Sequence, residues 1–417
     1  MFTDLEIKNK KTKMVEDYYH KFVTLPSLFN NENLLEFSIE PDKRFLILGK
    51  SFIRFYVELS EDYVPDNNFT NKLFEYLDLN INYEDVNYKC SPNDYDLTSH
   101  IYNKIYRNPG YLKNIKFEGQ FDNFNYDSSE LKIHSDIVEK RRGVPFKKTI
   151  IVDGVSKEEK HFRYMFLMPI NHGLCNENQI LPAGLHVRLT FHRARAMKAL
   201  VDISDSIIQY PENSIKLLDP TFNICWAYST KLSSQMSKVN TSGLNIPFES
   251  SHVRHRVLDS GLSEHSIQII QGKMPEMLVC FLMEPERFAN ESKLSSSKLE
   301  RHDMTEFSLV LDNTVCENYP LKVSKYGESS FYHNFYKHWL IQTSNYGNSL
   351  ENLLDESAFM NTNFMIVENF SDFEIKEGIL AVKLKFNKLL DKKLYFCWVP
   401  FTMKTLKIDR NLSVQLA

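Results

Sequence analysis

Apolar and polar residues alternate with a period of two through much of this chain. Val187-Arg188-Leu189-Thr190-Phe191-His192-Arg193 reads apolar, basic, apolar, polar, apolar, polar, basic. Val382-Lys383-Leu384-Lys385-Phe386-Asn387-Lys388 repeats it 195 positions later, with a basic residue at the fourth place, and each segment follows a glycine, Gly184 or Gly378. Such alternation predicts a half-buried β-strand, with Val, Leu and Phe on a core and the charged residues outward. One recurrence at about half the chain length points to a duplicated domain and not to a solenoid, whose repeats are far shorter.

The same pattern predicts strands at Asn33–Glu40, Phe52–Ser60, Lys147–Asp153, Phe162–Met168 and His186–Arg193 in the first half. In the second half strands are expected at Phe222–Tyr228, His252–Leu258, Ser266–Gln271, Met277–Met283, Phe307–Leu311, Phe364–Val367, Leu380–Phe386 and Leu394–Val399. Phe69–Asn82 reads as strand or short helix. Two long insertions interrupt the strands: Asp85–Asp127, with helical spacing over Ser99–Tyr106, and Ser324–Phe359, with helical spacing over Tyr332–Gln342 and Ser349–Phe359. Lys231–Ser242 could form a further short helix. Turn signals at Pro211-Glu-Asn213 and Asp219-Pro220 place a domain boundary within Asp202–Pro220. The expected division is a polar arm over 1–22, one β-domain over 23–203 and a second over 204–417. Many short strands with turns between them fit paired β-sandwiches better than an α/β fold.

Composition sharpens this reading. The 417 residues suffice for two domains of about 200 residues each. Aromatic content is 13%, with 30 Phe and 21 Tyr, whereas Gly numbers only 13. That balance favours sheets packed through aromatics over a Gly-rich nucleotide-binding fold. A net charge of −4 argues against a general polyanion binder. The cysteines at 90, 175, 225, 280, 316 and 397 form no CxxC pair, so free thiols in a reducing compartment are expected. Met1–Lys13 is charged and has no apolar stretch of signal-peptide type, and no apolar run reaches membrane-spanning length.

Catalytic chemistry finds little support. His252, His255 and His265 cluster in sequence, as in metal-binding jelly-roll enzymes. However, His252 and His255 stand three apart on a predicted strand and so point to opposite faces. HExxH, GxSxG and the Walker phosphate loop are all missing from the sequence. No enzyme activity, cofactor or small-molecule substrate is expected. A carbohydrate-binding module remains as an alternative, because Tyr- and Asn-rich insertions could stack on sugars.

The order of segments resembles the double jelly-roll major capsid proteins of Polinton/Maverick elements, adintoviruses and related eukaryotic DNA viruses. The first half carries the resemblance in Leu35-Glu36-Phe37, Phe52–Leu59, Phe166-Leu-Met-Pro-Ile170, Leu181-Pro-Ala-Gly184 and Val187–Arg193. The second half carries it in Ile246-Pro-Phe248, Val253-Arg254-His255, Gln271-Gly-Lys-Met-Pro275, Leu278–Leu282, Arg287-Phe288-Ala289-Asn290, Gly378–Phe386, Leu394-Tyr395-Phe396 and Ile408-Asp409-Arg410-Asn411. The segments Ser292–Asp303 and Met365-Ile-Val-Glu368 depart from the family pattern.

The resemblance implies an all-β fold of two tandem antiparallel eight-stranded jelly rolls, with short helices in the loops. It further implies a homotrimer of pseudo-hexagonal outline that tiles an icosahedral shell with neighbouring capsomers and penton or minor capsid proteins, around packaged DNA or an inner membrane. The protein would reside in the virion after synthesis in the host cytoplasm. The two insertions would stand at strand ends as towers and intersubunit loops. A host-domesticated homologue that keeps the fold without assembling is the alternative within the family. Lys140, Arg141, Arg142, Lys147 and Lys148 form a basic cluster. Its functional reading is a contact with nucleic acid, membrane or an acidic neighbour, and its plain reading is a solvated loop flanked by Asp136 and Glu139.

Overall fold

A computed structural model describes residues 19–86, 94–106, 115–122, 124–152, 155–176, 180–194, 199–203, 215–228, 243–289, 294–322, 333–344, 354–370 and 377–416. Among them, strands of four or more residues number eight before residue 229 and eight after 243. The first eight are β1 (Tyr19–Pro26), β2 (Leu34–Ile39), β3 (Phe52–Ser60), β4 (Phe74–Ile81), β5 (Val144–Val152), β6 (Val155–Pro169), β7 (Val187–Arg193) and β8 (Leu218–Tyr228). The second eight are β9 (Leu244–Ser251), β10 (Arg254–Leu258), β11 (Glu264–Lys273), β12 (Met277–Met283), β13 (Met304–Leu311), β14 (Ile366–Asn369), β15 (Glu377–Phe386) and β16 (Leu394–Ile408).

Every pairing among these strands is antiparallel, and the two halves share one topology. In the first half the sheets run β1-β8-β3-β6-β5 and β2-β7-β4. In the second they run β9-β16-β12-β14 and β11-β15-β13, with β10 also on β16. Taken in chain order, β1-β8-β3-β6 maps onto β9-β16-β12-β14, and β2-β7-β4 onto β11-β15-β13. The two repeated segments therefore hold the same place, the centre of the smaller sheet. Val187 lies opposite Ile39 and Ile81, and Val382 opposite Ile267 and Leu309. Their Val, Leu and Phe side chains are buried, and Arg188, Lys383 and Lys385 are exposed. This is the all-β double jelly-roll predicted from the alternation and the resemblance.

β8 changes the expected division of the chain. The turn signal at Asp219-Pro220 assigns Phe222–Tyr228 to the second domain, yet β8 pairs with β1 and β3 of the first roll along its length. Asp219 does take a positive φ of 48°, so the signal is real. It bends the start of a strand instead of ending a domain, and the β8–β3 register shifts there.

Eight helices accompany the strands among the described residues: α1 (Phe69–Lys72), α2 (Asp94–Tyr106), α3 (Ser128–Ile133), α4 (Ser135–Arg141), α5 (Gly173–Asn176), α6 (Pro285–Phe288), α7 (His333–Ser344) and α8 (Glu356–Thr362). Asp127 and Glu130 start α3 as a reciprocal capping box, and the Asp355 side chain caps α8 by accepting from the Ala358 N–H at 2.7 Å. The helix considered at Lys231–Ser242 lies outside the described residues.

Two large apolar cores fill the rolls, and each borrows from the other half. α2, from the first half, puts Leu97, Ile101 and Ile105 into the second core. β9 and the end of β16 put Leu244, Ile246, Phe248, Leu406 and Ile408 into the first, joined by Val414. The 15-residue β16 thus serves both cores. The described parts of the insertions pack inward: α2 bridges the rolls, and Phe335, Trp339 and Phe359 of α7 and α8 are buried in the second core.

Candidate functional site

The seam between the rolls is lined by buried polar groups, each positioned by a short local element. Asn68 starts α1 at φ 63°, in the left-handed region that Asn tolerates better than most residues. Its amide donates to the Asp96 carbonyl at 2.9 Å and so docks α1 on α2. At the other end of α1, Lys72 donates to Asp66 Oδ2 at 2.5 Å. From across the seam, Ser295 Oγ donates to the same oxygen at 2.8 Å. Asn125 donates to the Ser297 and Thr362 carbonyls and to Asn363 Oδ1, at 2.9, 3.1 and 3.0 Å.

Asp127 and Arg287 form the centre of this seam. The guanidinium grips both carboxylate oxygens, at 2.6 and 2.8 Å, and the Ser295 N–H donates to Oδ1 at 2.9 Å. Burial works to raise the Asp127 pKa, but Arg287, the Ser295 amide and Lys298 outweigh it and hold the carboxyl below its ordinary range. Arg287 also donates to Glu284 at 3.1 Å, which Lys392 holds at 2.5 Å. Elsewhere on the seam, Tyr106 donates to Glu249 at 2.7 Å and the Asn82 amide to the Leu412 carbonyl at 2.6 Å. At Gly173 the backbone passes so near β9 that a Cβ would stand 1.7 Å from the Glu249 carbonyl oxygen.

The five residues of the basic cluster do not form one patch. Arg141 is fully buried, which corrects its reading as a surface contact. It donates to Asp122 Oδ2 from Nε at 3.1 Å and from a terminal nitrogen at 2.9 Å, and lies 3.6 Å from Asp66. Arg142 lies 3.2 Å from Glu139, donates to the Glu61 carbonyl and stacks over Phe162. Lys140 is 3.7 Å from Asp136 and exposed. On β5, Lys147 pairs with Glu158 at 2.9 Å and Lys148 with Glu58 at 3.1 Å. Each cation therefore has a carboxylate within its own chain.

The histidines near β10 serve three separate local contacts. His252 accepts from Arg254 at 2.7 Å, His255 stacks on Tyr395, and His265 meets Phe386 edge-on. Glu284, Glu300 and His302 do bring their ligand atoms within 4.8 Å of one another. Arg287, Lys298 and Lys392 already neutralise those carboxylates, so the group is an ion-pair network continuous with the seam. Beside it a cavity of about 220 Å³ is lined by His302, Asp303, Lys388 and Lys392 among others.

The open faces of the two rolls differ. All seven side chains of β12 are buried, because this sheet is covered on both sides within the chain. β3, at the matching place in the first roll, buries only alternate residues. The outer face of its sheet presents Phe22, which packs on Phe52 at 6.1 Å, with Tyr56, Met165 and Leu167 around the Glu58–Arg163 ion pair. Phe22 is 53% exposed and Met165 38%, so this part of the face stays open among the described residues. Sequence reasoning missed both the seam and this face. The only available signal was the count of aromatics beyond core needs.

The polar seam packs the two rolls against each other. No protein-family model matches the sequence, and no curated protein sequence does either. Solved structures do match over almost the whole chain. A cryo-EM structure of the Sputnik virophage aligns with a TM-score of 0.66 at 10% identity, covering 100% of this chain and 92% of that one. The Faustovirus major capsid protein aligns with a TM-score of 0.56 at 8% identity, covering 93% and 90%. The mavirus major capsid protein aligns with a TM-score of 0.54 at 9% identity, covering 100% and 93%. The likeness establishes the double jelly-roll fold.

Proposed function

We propose that this protein is a major capsid protein whose copies associate as trimers of pseudo-hexagonal outline and tile a closed virion shell. The observation that carries this reading is the match of both rolls together, over almost the whole chain, to solved capsid structures. Two like but unequal rolls in one chain provide the six corners of a hexagonal block from three copies. The outer face of the β3 sheet around Phe22 and Met165 is the surface we assign to contact with the next copy. Obligate interfaces are apolar at their centre and bury a few thousand Å². The sequence motifs favour a source among Polinton/Maverick elements and adintoviruses.

We place the division between the rolls after Tyr228 and before Leu244, because β8 closes the first and β9 opens the second. Neighbouring capsomers and penton proteins are the partners this reading requires. Packaged DNA is not supported by the basic cluster, whose charges are met by Asp122, Glu139, Asp136, Glu158 and Glu58. Neither catalysis nor a cofactor enters the reading.

Size-exclusion chromatography with light scattering, followed by negative-stain imaging, tests the proposal. The expected result is a particle of about three times 49.0 kDa with a hexagonal outline, or closed shells. A monomer at all accessible concentrations overturns it and favours a homologue that keeps the fold without assembling.

A further inference from the structure

We propose that the polar side of α2 is an acid-sensitive latch between the two rolls: a proton taken up by His100 breaks the packing of α2 across the seam. Asp96, His100 and Lys104 recur at every fourth residue and so share one side of the helix. Leu97, Ile101 and Ile105 hold another side in the second core, and Tyr95 reaches the first. His100 is 1% exposed and Lys104 6%.

Neither ring nitrogen of His100 has a hydrogen-bond partner of proper geometry among the described residues. Asn363 is beside the ring, but its amide donates to the Ala358 carbonyl and to Thr362, and its oxygen accepts from Asn125. The charges facing His100 are the ammonium groups of Lys104 on its own helix and Lys72 on α1. Asp66 is engaged by Lys72 and Ser295 and Asp122 by Arg141, while Asp96 accepts from Ser296 through Oδ2. A neutral imidazole is tolerated here. An imidazolium would be a third buried cation next to two others, and no carboxylate bonds the ring as it stands.

Burial, then Lys104, then Lys72 push the His100 pKa well below its ordinary value of 6.5. The unfolded chain therefore binds this proton more readily than the folded one. The stability that neutral His100 confers is complete above that ordinary value. It falls as pH drops below it, with about a tenfold rise in opening per pH unit. Lys104, pushed down to about 8 by burial, acts in a separate alkaline window.

The test is hydrogen exchange of the full-length protein at about pH 7.5 and about pH 5, corrected for intrinsic rates, beside thermal melts over the same range. We expect peptides covering 94–106 to lose protection at least tenfold on acidification while β3 does not, and His100→Asn to melt with a shallower acid slope than the wild type. Other histidines with lowered pKa values contribute equally to both proteins, so the difference in slope isolates His100. Equal α2 protection at both pH values, or identical slopes, overturns the proposal. If His100→Asn does not fold, the exchange contrast in the wild type decides alone.

Discussion

Replacing Arg287 with Met tests whether the seam is held by its charged centre. The guanidinium is almost fully buried and donates to both oxygens of Asp127 and to Glu284. Met fills much of the same volume but leaves two buried carboxylates without their shared cation. Removing one partner of a buried pair costs about 3–5 kcal/mol. The lower end applies here, because Asp127 keeps the Ser295 amide and Lys298, and Glu284 keeps Lys392. Unfolding entropy of about 2 cal/mol/K per residue, over the whole chain, gives about 0.9 kcal/mol/K. A loss of about 3 kcal/mol then lowers Tm by about 3–4 °C when the two rolls melt as one unit.

Calorimetry reads both the shift and the cooperativity. Adding Asp127→Asn to the Met variant removes the stranded charge, so the pair should melt higher than Arg287→Met alone. The Asp127 carboxyl is held below its ordinary range, so its contribution is present above that range and lost as pH falls through it. Arg287→Met should flatten this acid loss. A Tm within about 1 °C of wild type, or a further drop on adding Asp127→Asn, would refute the assignment of the seam to this pair.

Three further outcomes follow from the shared cores and the close seam. Deleting residues 404–417 removes Leu406, Ile408 and Val414 from the first core, so exchange protection should fall in β2 and β7, far from the cut in sequence. Gly173→Ala places a Cβ against the Glu249 carbonyl and should cost about 2 kcal/mol or more, lowering Tm by about 2 °C or more, whereas a wild-type melt would mean that β9 yields freely. Burial lowers the His172 pKa to about 4, and its ring stacks on Phe248. Stability should therefore drop as pH falls from about 6.5 toward 4, and His172→Asn should lessen that drop in an acid melt series.

Alternation alone was enough to locate β3, β7 and β15, because a half-buried strand writes its two faces into consecutive residues. The duplication was legible for the same reason: two strands at the same central place in like sheets meet the same demands. β12 is apolar throughout, so its residues distinguish no outer face, and the structure shows it covered on both sides. Tertiary structure alone decided four things. β8 belongs to the first roll because its partners are β1 and β3, while the turn signal near Asp219 reports only a local bend. α2 crosses to the second core because its apolar side finds room there, a fact its helical spacing does not carry. Arg141 is buried because Asp122 and Asp66 meet it in space, although in sequence it sits in a run of surface-type cations. β16 serves two cores because its length outruns one roll. In each case the sequence pattern reports which side of an element avoids water, and pairing across distant segments determines what lies on the other side of it.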